Sequence, residues 1–320
     1  MRVLVTGPSG FVGSRLLQVL ASDNSLEVIA AARRESFDRP VAVRLQTGCE
    51  LSSSMDWAPH LVGVGVVVHT AARVHVMNDT AADPLDAFRA VNVDGTLRLA
   101  EQAASAGVHR FVFISSVKVN GEGTTKNSAY SPDLAPAPLD PYGVSKMEAE
   151  AGLKEIAQRT GMEVVIIRPV LVYGPGVKAN FLKMMQWLDK GVPLPFGSIQ
   201  NSRSLVALEN LVDLIVLCTK HPNAANQTFM VSDGEDLSTS ALLRKMATAL
   251  NKPARLIPLP AWFLHVGARV VGKTDLSQRL CGSLRVDISK TRSLLGWNPP
   301  VSLETALKET AVHFQESRKR

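Results

Sequence analysis

Short, almost wholly apolar runs alternate with stretches of helical periodicity along the first half of the chain. Val3–Thr6, Val28–Ala31, Val64–His69, Phe111–Ser115 and Val164–Arg168 read as strands, and Phe11–Ala21, Pro84–Ala106 and Pro141–Arg159 as the helices between them. Strands that are apolar on both faces and separated by helices predict a parallel, doubly wound α/β sheet with helices on each side. After about residue 175 the alternation loosens and prolines gather at positions 193, 195, 222, 253, 258 and 260. The expected division is a sheet domain over residues 1–175 and a smaller lobe over 176–320, with segments around 204–233 returning to the sheet. One connection stands apart: residues 118–141 are rich in Gly, Thr, Asn, Ser, Ala and Pro and show neither period. Loops of that length inside a compact domain tend to be lids or binding loops.

Composition narrows the function classes. With 46% hydrophobic and 20% charged residues, the 320-residue chain can bury a core, which excludes intrinsic disorder. The most apolar stretch, Ala261–Gly272, is broken by His265, Gly267 and Arg269, so no membrane insertion is expected. The first residues read as a strand and not as a leader, and the expected location is the cytoplasm. Cys49, Cys218 and Cys281 lie far apart without a CxxC pair, which predicts reduced packing residues, no disulfide and no metal site. The net charge is +6, and three of the positive charges are the terminal Arg318, Lys319 and Arg320. With only 5% aromatic residues, nucleic-acid binding is not expected. A mildly positive protein handling a small anionic, phosphate-bearing ligand fits better.

The motifs supply such a ligand. The first strand runs into Thr6-Gly7-Pro8-Ser9-Gly10-Phe11-Val12-Gly13, a Gly-x-x-Gly-x-x-Gly turn opening a helix. Glycines there allow a tight turn and close approach of a dinucleotide pyrophosphate to a helix N-terminus. NAD binders place an acidic residue at the end of the second strand to hold the ribose hydroxyls. Here that end reads Ala30-Ala31-Ala32-Arg33-Arg34, with guanidiniums suited to a 2′-phosphate, so NADPH is expected with NAD(H) as the alternative. Ser115-Ser116 ends a later strand, and Tyr142-Gly143-Val144-Ser145-Lys146 opens a helix after the long loop. The spacing of four sets Tyr142 and Lys146 on one helical face. A phenol ordinarily titrates near about 10. A neighbouring ammonium and a cationic nicotinamide would bring it toward a useful range, with Ser116 fixing the substrate oxygen. Ser116, Tyr142 and Lys146 are the candidate catalytic residues.

With these motifs in order, the chain resembles the extended short-chain dehydrogenase/reductase family of nucleotide-sugar epimerases, dehydratases and reductases. The resemblance also takes in His69-Thr70-Ala71-Ala72, Asn92-Val93-Asp94-Gly95-Thr96, the run Arg168–Gly176, and Leu295-Gly296-Trp297-Asn298-Pro299. It implies a Rossmann domain with a C-terminal lobe for a nucleoside-diphosphate sugar, and a homodimer through helices Pro84–Ala106 and Pro141–Arg159. Cofactor contacts are implied at Gly7, Gly10, Phe11, Val12, Gly13, Arg33, Arg34, Ala71, Ala72, Asn92, Tyr142, Lys146 and Pro169. Substrate contacts are implied at Ser116, Asn180 and Arg203, and, on a weaker match, Arg279.

Departures from the family pattern narrow the reaction. Sugar 4,6-dehydratases carry an Asp-Glu pair after the catalytic hydroxyl, where this chain has Val117-Lys118, which argues against dehydration. Many 4-epimerases close the same motif with Tyr-Gly, where this chain has Asn120-Gly121. The stretch Ser115–Gly121 resembles the branch that reduces UDP-2-acetamido-2,6-dideoxy-4-hexuloses to UDP-N-acetylfucosamine or UDP-N-acetylquinovosamine for O-antigen and other surface polysaccharides. The expected activity is therefore an NADPH-dependent 4-ketoreductase of a UDP-linked 6-deoxy sugar. Its rivals are a UDP-glucose or UDP-N-acetylglucosamine 4-epimerase with bound NAD, and a non-catalytic NADP-sensing protein. The adenine-contacting Asp expected after the third strand is not evident around Gly48-Cys49-Glu50. Arg73 and His75 either line the sugar pocket or are plain loop residues. Lys118 either faces the developing oxyanion or forms a salt bridge within the loop, and Met184, Met185 and Trp187 are expected in the core.

Overall fold

Successive strand residues feed two separate cores, which is why the strands are apolar throughout. In the computed structural model, which describes all residues except 36, 75–82, 126, 261, 262, 264–268, 270–279, 319 and 320, seven parallel strands lie in the order β3-β2-β1-β4-β5-β6-β9. These are β1 Arg2–Thr6, β2 Glu27–Ala31, β3 Arg44–Gln46, β4 Val66–His69, β5 Arg110–Ile114, β6 Glu163–Pro169 and β9 Thr228–Val231. On one face, Val3, Val5, Val66, Val68, Val112 and Val165 meet Leu16, Leu17 and Leu20 of α1 (Phe11–Ala21) and Leu211 and Ile215 of α6 (Leu208–Cys218). On the other, Leu4, Ile29, Val67, Phe111 and Phe113 meet Leu99 and Ala103 of α3 (Thr96–Ser105) and Leu153 and Ile156 of α4 (Pro141–Thr160). This is the doubly wound Rossmann arrangement that the alternation predicts.

Residues beyond β6 build a second, smaller layer. β7 (Leu171–Tyr173) pairs in parallel with β8 (Arg203–Ala207), and β10 (Asp236–Leu237) pairs antiparallel with β8. A third core gathers Phe181, Met184, Met185 and Leu188 of α5 (Ala179–Asp189), Leu243 and Met246 of α7 (Thr239–Ala249), and Leu307 and Phe314 of α9 (Leu303–Ser317). Met184 and Met185 are thus core, and Trp187 packs at its edge. Between α7 and α9, α8 (Ser289–Leu295) brings Leu295 onto the α1 side of the main sheet. The chain leaves that sheet after β6 and returns to it at β9, and Arg15 of α1 pairs with Glu209 of α6 at 2.7 Å.

One expectation changes. The helix expected over Pro84–Ala106 is α2 (Pro84–Arg89), a π turn over Ala90–Gly95, and then α3. The wide turn lets Asn92 face inward: its Oδ1 accepts from the Arg73 amide at 2.8 Å, and its Nδ2 donates to the Arg73 carbonyl and to Ser145 Oγ, each at 3.0 Å. The loop 118–141 is fastened at several points. It follows a 3₁₀ turn at Val117–Val119 and bridges to Ser283 through Thr124 and to Val286 through Tyr130. Among the described residues, no helix is long and apolar enough to cross a membrane.

Candidate active site

The carboxyl ends of β1 and β4, where the strand order reverses, carry the glycine turn and Thr70–Ala72. Open α/β sheets bind ligands at such a switch point. Gly7 has a φ of +69°, and a Cβ there would lie 2.7 Å from the Ala71 amide nitrogen. A Cβ on Gly13 would lie 2.1 Å from the Gly7 carbonyl oxygen, so the helix sits directly on the turn. Gly10 caps α1 with no side-chain hydrogen bond, and the first turn has no acidic residue. The first amides of a helix have no intrahelical partners and attract anions. A bare-backbone cradle of this kind fits a dinucleotide pyrophosphate. Arg33 and Arg34 follow β2 on an exposed turn, and β2 pairs with β1 through Thr6 and Ala31.

The catalytic candidates lie one strand further on, at the end of β5 and in the first turns of α4. Asp140 caps α4 by accepting from the Gly143 amide at 2.7 Å, and Pro141 opens the helix. That cap fixes Tyr142 in the first turn and Lys146 one turn later. Ser116 begins the 3₁₀ turn after β5, and its Oγ accepts from the Lys118 amide at 3.2 Å. This turn lies against the start of α4: a Cβ on Gly143 would lie 2.8 Å from the Lys118 carbonyl oxygen. The Tyr142 ring meets Phe88 edge-on at 6.0 Å, and the Lys146 ammonium lies 4.1 Å from the centre of the Phe113 ring. Lys118 forms ion pairs with Glu122 and Asp140, the salt-bridge role of its two expected ones.

Burial dominates the electrostatics. It pulls Lys146 down to about 7, opposed by the Glu150 charge. It also holds Tyr142 above the ordinary phenol range, with the Asp140 carboxylate adding to the effect. In the protein alone the phenol is therefore firmly protonated. The lowering foreseen from the lysine would need positive charge brought by a ligand.

His69, at the end of β4, is fully buried and shares hydrogen bonds with Thr6 Oγ1 (2.7 Å) and Thr96 Oγ1 (3.0 Å), stacked against Phe113. Burial, then the Lys146 charge, lowers its pKa to about 3. The unfolded chain takes up this proton near about pH 6.5 and the folded one only near about 3, so stability falls as pH drops through that window. Chemical denaturation at pH 7.5 and pH 5 should show a loss of stability that is smaller in His69→Gln. Equal losses in the two proteins would remove His69 as a cause.

Sequence reasoning missed a buried hub behind the site. Arg168 pairs with Glu150 through Nε (2.9 Å) and Nη2 (2.6 Å), and its Nη1 donates to Asn120 Oδ1 and the Pro132 carbonyl. Ser115 Oγ donates to Glu150 at 2.5 Å. Glu150 lies four residues past Lys146, a spacing visible in the sequence, although its partner was not. Beside the hub, a cavity of about 470 Å³ is lined by Asn120, Glu122, Tyr130, Leu139 and Ser283 among others.

The remaining predicted residues are spread over the lobe. Asn180 lies in the first turn of α5, half-buried, after Ala179 with a φ of +54°. Arg203 opens β8 and donates to the Gly282 carbonyl at 3.0 Å. Arg279 and His75 lie outside the described residues.

Comparison with known proteins places the chain in a family. The model of the NAD dependent epimerase/dehydratase family matches residues 3–232. A UDP-glucose 4-epimerase of Vibrio cholerae is 48% identical over 319 residues, covering 99% of this chain and 97% of its own length. A UDP-glucose 4-epimerase of Mycolicibacterium smegmatis is 28% identical, covering 98% of this chain and 99% of its own. The solved structure of MoeE5 with UDP-glucose and NAD superposes with a TM-score of 0.77 at 26% identity, covering 99% of this chain and all of that one. The fold is also that of Bacillus cereus UDP-glucuronic acid 4-epimerase in complex with NAD, with a TM-score of 0.80 at 22% identity over 99% of this chain and 97% of that one. From the glycine cradle to the Tyr142–Lys146 helix, and in likeness along its whole length, the chain belongs to the NAD dependent epimerase/dehydratase family.

Proposed function

We propose that the protein is a UDP-hexose 4-epimerase, acting on UDP-glucose or UDP-N-acetylglucosamine with bound NAD. The observation that carries this reading is the 48% identity, along 99% of the chain, to a relative named UDP-glucose 4-epimerase. It displaces the ketoreductase expected from Ser115–Gly121. Gly7, Gly10 and Gly13 would hold a dinucleotide, which would supply hydride acceptance and return at C4 of the sugar. Tyr142 takes the proton of the C4 hydroxyl and later gives one back. The Ser116 hydroxyl holds the same oxygen, and Lys146 contributes positive charge beside the phenol. In this reading the lobe, with Asn180 and Arg203, holds the nucleoside diphosphate. Lys146 is buried and Tyr142 half-buried, which strengthens their polar contacts by limiting water.

A second reading keeps one observation of its own. No carboxylate stands at the end of β2, and Arg33 and Arg34 are exposed there. That end suits NADPH and a reductase that exchanges its cofactor, acting on a UDP-linked 6-deoxy-4-keto-N-acetylhexosamine. Two assays separate the readings: identification of the nucleotide released on denaturing the purified protein, and product analysis by NMR. Retained NAD with conversion of UDP-glucose or UDP-N-acetylglucosamine to the 4-epimer is the expected result. Rapid NADPH consumption with the keto sugar, and no epimer formed, would overturn it in favour of the reductase.

A further inference from the structure

Lys146 is 2% exposed, yet among the described residues its ammonium makes no hydrogen bond or ion pair. The face of the Phe113 ring lies against it instead, with Nζ 4.1 Å from the ring centre. Phe113 is wholly buried and firmly seated. It comes from β5, where it stands opposite His69 of β4 in the strand register, and the two rings stack at 5.8 Å and 13°. His69 is held in turn by Thr6 and Thr96. An ammonium taken out of water without a partner sheds its proton, whereas an aromatic face attracts it, most strongly where water is excluded. At a buried site that attraction is worth on the order of one pH unit in the lysine's titration.

We infer that Phe113 is a positioning residue for Lys146, whose ring face keeps the buried ammonium charged and in place while leaving its charge uncancelled. The inference rests on the reading of Lys146 as the positive group beside Tyr142. A carboxylate in the same place would also hold the ammonium, but it would cancel the charge that the site uses. An aromatic face carries no charge to cancel it. The titratable groups around Lys146 fit this arrangement. Glu150, one turn on along α4, favours the charged lysine without an ion pair and is itself engaged by Arg168 of β6 and by Ser115. His69 of β4 is neutral, held so by burial and then by the Lys146 charge, and adds no second cation. Arg89 of α2 pairs with Glu148, and Ser145 is committed to Asn92 and the Tyr142 carbonyl. Tyr142 is protonated in the protein alone.

Fluorination separates ring charge from ring shape. Mono-, di- and trifluorinated phenylalanine, placed at position 113 alone, drain negative charge from the ring face in steps and change its shape little. Phe113→Leu removes the face altogether. In the purified protein, the Lys146 titration is read by NMR of isotope-labelled lysine ε carbons, assigned with Lys146→Arg. Beside it runs the pH dependence of kcat and KM for UDP-glucose conversion. Along the series the Lys146 pKa should fall stepwise, by about one pH unit at the trifluorinated ring, and Phe113→Leu should lower it by about as much. Because Lys146 acts in its charged form, the alkaline limb of kcat should move down with it, lowering kcat above that limb about tenfold with KM within about twofold. A Lys146 titration that stays put along the fluorinated series would overturn the inference, because packing follows ring volume and not ring charge. So would a loss confined to Phe113→Leu, the mark of a merely structural role. A titration that moves while the limb does not would instead sink the reading of Lys146 as the charge needed in turnover. A parent protein that leaves UDP-glucose unchanged would sink the proposed reaction, and in both cases the NMR series still decides the role of Phe113.

Discussion

Tyr142→Phe should lose turnover by about a thousandfold or more in kcat while binding its dinucleotide and folding as before. The substitution removes one oxygen and keeps the ring, so the edge-on contact with Phe88 at 6.0 Å survives. Loss of one hydroxyl oxygen leaves no large cavity, and the cap of α4 belongs to Asp140, not to the tyrosine. On the proposed reading, what disappears is proton transfer at C4, which positioned acids and bases accelerate by roughly 10² to 10⁴. The upper part of that range is expected because the half-buried position of Tyr142 limits the water that could take the phenol's place. Steady-state kinetics, with cofactor occupancy measured on the same preparation, tests this. Retention of more than a tenth of the activity, or loss of the dinucleotide together with activity, would remove Tyr142 from its role.

Local chemistry made much of this architecture readable. The apolar runs of β1, β2 and β4–β6 report burial on two faces, and Asp140-Pro141 reports a helix start, because both depend on residues within a few positions of one another. The parts that stayed hidden depend on distant partners. Nothing in Ala90–Gly95 announces a π turn; it forms because Asn92 reaches the backbone of Arg73 and the hydroxyl of Ser145. β9 joins β6 from more than fifty residues away, with the whole β7–β8 excursion between them. The candidate site follows the same division. Gly7, Gly10 and Gly13, like Tyr142 and Lys146, are set by spacing along the chain. Phe88 and Phe113, which flank the tyrosine and the lysine, come from other elements and carry no local signature. Val117-Lys118 argued against dehydration, but the contact of Lys118 with Asp140 appears only when the ends of the loop meet.

The same logic makes the Glu150–Arg168 pair the most vulnerable structural feature behind the site. Both side chains are almost fully buried, 3% and 2% exposed, and the pair joins segments that each carry or adjoin a candidate site residue. Ser115 precedes Ser116, Arg168 precedes Pro169, Glu150 lies one turn past Lys146, and Asn120 and Pro132 belong to the loop. A buried ion pair gains little over apolar side chains of the same size, but removing one partner strands a charge without water, typically costing about 3–5 kcal/mol. Against a whole-domain stability of about 5–15 kcal/mol, that is a large share. Glu150→Ala and Arg168→Ala should therefore each lower the unfolding free energy by about 3–5 kcal/mol in denaturant titrations. Glu150→Gln, which keeps an acceptor for the guanidinium, should cost less. The double variant Glu150→Leu/Arg168→Met should recover more than half of the loss, because no lone charge remains buried. It should nevertheless turn over poorly, since the loop then loses its anchors at Asn120 and Pro132 while the Lys146 ammonium loses the carboxylate that opposes its deprotonation. A double variant as unstable as the single ones would show that the pair contributes shape, not compensated charge. One that is stable and fully active would show that the loop is held without it.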